Sequence, residues 1–366
     1  ADSDFTNVTN FDTLVLGTGG DNTIVLGAEF QEAGFTAVTD SGAVNSTITF
    51  GAGVTTAQTM TVSTGNDTIT ATASSAAITF DIDHASLTSD DTLTGGTGSS
   101  DKLLITFAST ALTASDFSKV TAIEEIEAKT NAAFDLTISD NNAVSSVLTV
   151  DMADSTNAGS FSAAAEDDGT INYIGGTAAD TVTGSATTAT GDTIDGKAGA
   201  DIITGGLGGD TITGGSGADV FTYTAVAQST GSARDSITDF TSGTDKFNFT
   251  IDDSAKTADL VFDTHISTAR AGTSLVQENL SGNRGQIIYD TTNSRMIMNI
   301  NGDNLVTTLD YQIDINAAST AASTLAEGDI NFTISGGTGD DTITMGDGVN
   351  TVNGNAGADI ITGGSA

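Results

Sequence analysis

Apolar residues recur singly along part of the chain, each held between small or polar neighbours and separated by nine positions. Ile203, Ile212 and Phe221 occupy the eighth position of three uninterrupted units, residues 196–204 (GKAGADIIT), 205–213 (GGLGGDTIT) and 214–222 (GGSGADVFT). Each unit has Gly at its first and fourth positions (Gly196 and Gly199, Gly205 and Gly208, Gly214 and Gly217) and Asp at its sixth (Asp201, Asp210, Asp219). Such a pattern predicts a Gly-rich turn followed by a strand of about three residues, with the eighth residue turned inward and its two neighbours outward, following the two-residue side-chain period.

The repeat extends beyond these three copies. Residues 175–183 (GGTAADTVT) form a unit with one glycine missing and Asp180 at the sixth position, and a stretched unit follows that ends at Asp192-Thr193-Ile194. A second block reads 336–344 (GGTGDDTIT), 345–353 (MGDGVNTVN) and 354–362 (GNAGADIIT), and residues 363–366 begin another unit. It supplies Gly336, Gly339 and Asp341, then Asn350, then Gly354, Gly357 and Asp359. Degenerate copies stand at 17–25 (GTGGDNTIV), 64–70 (TGNDTIT, with Asp67) and 90–98 (DDTLTGGTG, with Asp91).

Elsewhere the period changes to alternation, as at 45–50 (NSTITF), 77–82 (AITFDI) and 146–150 (SVLTV), which predicts strands with one face buried. Residues 115–129 (SDFSKVTAIEEIEAK) read as a short helix or turn before a strand. Residues 225–332 lack nonamers and carry longer mixed runs, 286–290 (QIIYD) and 295–300 (RMIMNI). The expected fold is therefore all-β: parallel β-roll or β-helix segments with metal-binding turns, plus an antiparallel, sandwich-like module. The expected organisation is a β-rich region with degenerate repeats at 1–174, a roll at 175–224, an antiparallel module capping it at 225–332, and a second roll block at 333–366 whose last unit is incomplete.

Composition explains what such a chain must solve. Of its 366 residues 43 are Gly and only 5% are aromatic, so the core is thin and built from Ile, Leu, Val and Phe. Forty-eight acidic residues face ten basic ones, a formal charge of -38 that opposes compaction unless a cation neutralises it. The same charge disfavours nucleic acid and anionic membrane surfaces as partners. Disorder is the alternative meaning of high acidity, but Pro is absent and Asp recurs at one repeat position. No Cys is present, which excludes disulfides and thiolate metal sites. No run of about 18 apolar residues occurs, so membrane insertion is not expected.

Glycine admits left-handed backbone conformations, so turns rich in it can aim successive carbonyl oxygens inward, and the sixth-position Asp adds a carboxylate. Calcium takes about 6–8 oxygen ligands, more than one short turn supplies, whereas two stacked turns suffice. With two nonamers per coil, Asp201 and Asp219 line one edge and Asp192 and Asp210 the other. In the second block Asp341 and Asp359 share an edge, with Asn350 opposite as an uncharged ligand.

These nonamers resemble the repeats-in-toxin family, whose GGxGxDxUx units bind calcium in a parallel β-roll. Residues 232–250 (SARDSITDFTSGTDKFNFT) are similar to the segment that follows the roll in type I secretion substrates; on that resemblance Asp235, Asp239 and Asp245 would ligate a capping calcium. Residues 91–129 are similar to the repeat, strand, turn and strand module of bacterial calcium-dependent surface-layer proteins. The resemblance implies several calcium ions and an extracellular or cell-surface location.

Sites for catalysis are missing from the pattern. His84 and His265 fit no HExxH, HxH or HxxxH spacing, and no G-x-S-x-G elbow occurs. The pairs Asp90-Asp91, Glu124-Glu125 and Asp167-Asp168 lack the aromatic platforms of a glycosidase, with no Trp and four Tyr. The expectation is a non-enzymatic, calcium-dependent structural protein that assembles with itself, head to tail through its unfinished terminal unit, into a layer or fibre, with cell-surface polysaccharide as a further partner. The alternatives are a fragment of a large calcium-dependent adhesin and the export module of a secreted hydrolase.

Overall fold

The computed structural model describes residues 2–42, 44–107, 111–128, 133–142, 147–252, 254, 261–263, 266–269, 284–290, 293–300, 310–315 and 325–364. His265, Lys129, the last two residues and much of 253–324 lie outside them. Two compact units are present, Ala1–Ala178 and Ala179–Ala366.

In the first unit successive coils stack strand on strand. One sheet runs through Thr13–Leu16, Ala37–Asp40, Gln58–Val62, Ile78–Asp83, Lys102–Thr106, Glu125–Ala128, Val147–Asp151 and Thr170–Ile174, every described pairing parallel. A second parallel sheet stacks Asn22–Leu26, Ser46–Phe50, Thr68–Thr70, Thr92–Thr94 and Val120–Thr121. The alternating sequences do what their period requires: Ile78, Phe80 and Ile82 point into the coil and Thr79 and Asp81 outward. Among the described residues helix is confined to Ala28–Glu32 and short 3-10 turns. Residues 115–128 form a turn, then the strands Val120–Thr121 and Glu125–Ala128.

The outward face of the second sheet is a lattice of threonines. Register aligns Thr23, Thr47, Thr68 and Thr92 in one rank, and Thr49, Thr70, Thr94 and Thr121 in a second. Adjacent strands lie about 4.8 Å apart, so each rank repeats at that spacing. No charged residue enters either rank, whereas the first sheet shows Asp81, Lys102, Glu125, Glu127 and Asp151 on its outer face.

The second unit contains the uninterrupted nonamers. Thr181–Thr183, Ile202–Thr204, Val220–Tyr223, Lys246–Asp252, Ile330–Ser335 and Thr351–Asn353 stack in one parallel sheet. Opposite them Thr193–Asp195, Thr211–Thr213 and Ser236–Ile237 stack likewise. The eighth-position residues Val182, Ile194, Ile203, Ile212, Phe221 and Ile343 are all at most 1% exposed. In the second block burial falls unit by unit, from Ile343 through half-buried Val352 to Ile361 at 49% exposed.

The described strands between residues 225 and 332 share the sheets of the roll. Parallel stacking continues through Lys246–Asp252 and Ile330–Ser335, where Phe247, Phe249, Ile251, Ile330, Phe332 and Ile334 fill the interior. Among the described strands antiparallel pairing is made by Arg295–Met298, which lies between Ile287–Asp290 and Tyr311–Ile315. That hairpin extends the roll by pairing Tyr311–Ile315 parallel with Ser236–Ile237. The reason is the inward alternation of KFNFTID, which demands a covering sheet on one side only. Phe240 stacks on Phe247 at 4.7 Å, and Tyr223 on Phe249 at 5.4 Å, thickening the core where the hairpin joins.

Inward and outward positions should differ sharply in cost. Ile212→Ala is expected to lower stability in calcium by about 2–5 kcal/mol through lost burial and a cavity. Thr211→Ala, one residue away on the outer face, should stay within about 0.5 kcal/mol. Urea unfolding followed by circular dichroism measures both.

Candidate metal-binding turns

Each repeat turn is built so that an aspartate reaches the neighbouring coil. The Asp180 N–H donates to Asp201 Oδ1 at 2.7 Å, Asp201 N–H to Asp219 Oδ1 at 2.9 Å, and Asp219 N–H to Asp245 Oδ1 at 3.1 Å. On the other edge Asp192 N–H donates to Asp210 Oδ1 at 2.7 Å and Asp210 N–H to Asp235 Oδ1 at 3.0 Å. In the second block Asp341 N–H donates to Asp359 Oδ1 at 3.0 Å, and opposite it Phe332 N–H donates to Asn350 Oδ1 at 3.0 Å. The partners within the nonamer arrays are 18 residues apart, two units per coil. Asp201 and Asp219 thus share one edge, and Asp192 and Asp210 the other.

Glycine is required where these carboxylates turn back. A methyl group at Gly196, Gly205 or Gly214 would strike Oδ2 of Asp201, Asp210 or Asp219, and one at Gly336 or Gly354 would strike that of Asp341 or Asp359. The fourth-position glycines Gly199, Gly208, Gly217 and Gly357 have φ of 139°, 113°, 151° and 136°. A side chain at Gly217 or Gly357 would also collide with the carbonyl of Gly199 or Gly339, which shows how closely stacked turns bring peptide oxygens to one another.

The second carboxylate oxygen is what the protein leaves undone. Oδ2 of Asp201, Asp210, Asp219 and Asp235, and of Asp67 in the first unit, is buried with no hydrogen-bond partner. A buried acceptor without a partner is costly, and here it recurs beside inward-facing carbonyls in turns whose only acidic ligand per unit is one Asp. Among the described residues no three acidic or imidazole side chains converge on a point, so a cation held here would draw its further ligands from peptide oxygens. One carboxylate per turn with stacked carbonyls fits a hard, oxygen-liganded cation such as calcium.

Other expected ligands are occupied by the protein itself. Asp239 accepts Gly214 N–H at 2.9 Å and Gly215 N–H at 2.7 Å, one bond per oxygen, and so caps that turn. Asp245 accepts Thr241 N–H on Oδ2 at 2.7 Å, and Asp91 accepts Asp67 N–H on one oxygen and Thr88 N–H on the other, both at 2.8 Å. These side chains end their ladders. The Asp192 carboxylate likewise accepts the Ser185 N–H on Oδ2 at 2.6 Å and the Ser185 hydroxyl on Oδ1 at 3.0 Å.

Two ladder members escaped sequence reasoning. Asp101 accepts Ile78 N–H at 2.7 Å and Gly96 N–H at 2.6 Å, and Glu124 accepts Asp101 N–H at 2.7 Å. Their signal is the opening Gly95-Gly96-Thr97-Gly98, after which one extra residue moves the Asp from sixth to seventh position. Glu124, with a longer arm, takes the corresponding place one coil on.

The electrostatics follow from burial. Burial raises the Asp201 carboxyl to about 7 and that of Asp210 to about 7, and raises Asp67 to about 6. Asp235 rises well above its ordinary value, first through burial and then through the charge of Asp210. Asp219 and Asp245 move the same way, again mainly by burial.

A family model described as the RTX calcium-binding nonapeptide repeat (4 copies) matches residues 187–221, 333–361 and 345–366. Comparison with curated proteins gave no match. The arrays are thus RTX repeats, which bind several calcium ions, and they form a β-roll.

Because these carboxyls are raised in the fold, the metal-free roll holds protons that the unfolded chain releases. Its stability should therefore fall as pH rises from about 4 through about 7. Thermal melts in chelator are expected to show a lower midpoint at pH 8 than at pH 5, and millimolar calcium should shrink or reverse the difference. Asp201→Asn keeps the Oδ1 acceptor but removes the charge. In chelator at pH 8 it should equal or exceed the parent in stability, while in calcium it should lose about 1–3 kcal/mol, the linkage of one ion.

Proposed function

We propose that this RTX β-roll protein is a calcium-dependent structural protein of the bacterial cell surface or extracellular matrix, one that assembles with itself into a layer or fibre. The observation that carries the reading is the repeated aspartate with one oxygen on the neighbouring coil and the other bare. In such a turn cation binding and coil stacking are coupled, so the chain is slack where calcium is scarce and rigid where it is abundant. Export before folding and function outside the cell follow from that coupling. Among the described residues no helix is long and apolar enough to cross a membrane.

Support for assembly comes from the threonine lattice. On a chain of net charge -38 the eight outward threonines, with Val25 beside them and no charged residue in the strands that carry them, offer two copies a surface on which to meet without bringing like charges together. The role of the repeats is then scaffolding, with no catalytic step assigned to the chain.

A second reading, part of a calcium-dependent adhesin, is favoured by a pocket of about 220 Å³ in the second unit. Thr224, Val226, Asp252, Arg284, Ile300 and Tyr311 line it, where the hairpin meets the roll. Its mixed charge and hydroxyl lining suit a polar ligand such as a surface glycan.

Electron microscopy in millimolar calcium and after chelation separates these readings. Ordered sheets or fibres in calcium, lost on chelation, and lost also in a Thr49→Lys/Thr70→Lys variant that still folds, are expected. A monomer in calcium that binds polysaccharide would favour the adhesin reading instead.

A further inference from the structure

We propose that Asp40 and Asp67 form a calcium site in the first unit, far along the sequence from the matched repeats. The inference rests on the calcium reading of the arrays and extends it to the degenerate copy around Asp67, joined there by Asp40, which lies outside any nonamer.

Asp67 is fully buried. Its Oδ1 accepts Ser46 N–H at 2.8 Å, and its Oδ2 is buried with no hydrogen-bond partner. Asp40 ends the strand Ala37–Asp40 and is 2% exposed. Its Oδ2 accepts the Ser46 hydroxyl at 2.7 Å, and its Oδ1 the Gly42 N–H at 3.5 Å. Ser46 thus holds one oxygen of each carboxylate and draws two buried acids onto a single residue. Among the described residues no Lys, Arg or His forms an ion pair with either.

Neutral oxygen is close by. A methyl group at Gly65 would collide with the Val44 carbonyl, so the turn before Asp67 presses against that oxygen, and Ser63 donates its hydroxyl to the Gly42 carbonyl. Two carboxylates with peptide and hydroxyl oxygens suit a hard divalent cation. The neighbouring coils supply the contrast: Asp91 and Asp101 spend both oxygens on protein donors, and Asp67 alone among the described acids of the first unit keeps a buried oxygen bare. The ion would tie the strand ending at Asp40 to the turn of the next coil.

The test counts calcium bound per full-length chain, by atomic emission after equilibrium dialysis, in the parent and in Asp67→Asn, Asp40→Asn and Asp201→Asn. Asn at 67 retains the acceptor for Ser46, and circular dichroism in calcium verifies the fold. Asp67→Asn and Asp40→Asn are each expected to lose one equivalent, independently of the loss caused by Asp201→Asn. An unchanged count in Asp67→Asn beside a loss in Asp201→Asn overturns the site and leaves the array reading standing. A parent chain that binds no calcium overturns both. Should either variant misfold, hydrogen exchange of the parent decides: peptides spanning Ser46 to Asp67 should exchange at least tenfold more slowly in calcium, and equal rates with and without it overturn the proposal.

Discussion

The structure depends on one recurring contact, a backbone N–H of one coil donating to the aspartate carboxylate of the next. A parallel stack made from three-residue strands has little else to fix its register, since each nonamer buries one apolar side chain. The bonds from Asp180 to Asp201 to Asp219 to Asp245, and from Asp192 to Asp210 to Asp235, run along both edges of the second unit and set coil upon coil. They also create the problem the fold must solve, because the carboxylates of Asp201, Asp210, Asp219 and Asp235 are drawn out of water with one oxygen unpaired. Burying acid on that scale is unfavourable for the ionised form, as the upward displacement of Asp201 and Asp210 records. A cation bound between turns removes the conflict and leaves the register bonds intact.

The protein handles this differently along its length. In the first unit coils are longer, with partners 21 to 24 residues apart, and the longer strands, such as Ile78–Asp83, bury up to three side chains. There the hydrophobic stack carries more of the stability, and Asp91, Asp101 and Glu124 are saturated by backbone donors. In the arrays the coil shrinks to 18 residues and the apolar interior to a single file, so the ions must supply what the core does not. Between the two nonamer blocks the aromatic stack of Phe240, Phe247, Phe249 and Tyr311 thickens the roll again.

Much of this was legible in the sequence because the nonamer constrains several levels at once. Gly at one and four, Asp at six and an apolar residue at eight fix turn, ladder and core together, so the two edges and the inward Ile203, Ile212 and Phe221 could be read directly. Asp101 was hidden by one inserted residue, Glu124 by a change of residue type, and Asp40 because it lies on the strand before its turn. The hairpin region was harder still. Alternation in KFNFTID reports a half-buried strand but not the direction of its neighbour, and parallel pairing of Phe247 with Ile330 spans 83 residues that no local pattern connects. Whether Asp239 or Asp245 meets a cation or a backbone N–H likewise depends on turns folded from elsewhere in the chain.

The central claim is that coil stacking in the arrays and neutralisation of their aspartates by calcium are one event. Hydrogen exchange read by mass spectrometry on peptides within 187–221, at pH 8 in millimolar calcium and in excess chelator, tests it most directly. The account predicts strong protection of these amides in calcium and its collapse to near-unfolded rates in chelator. Equal protection in both conditions would contradict it.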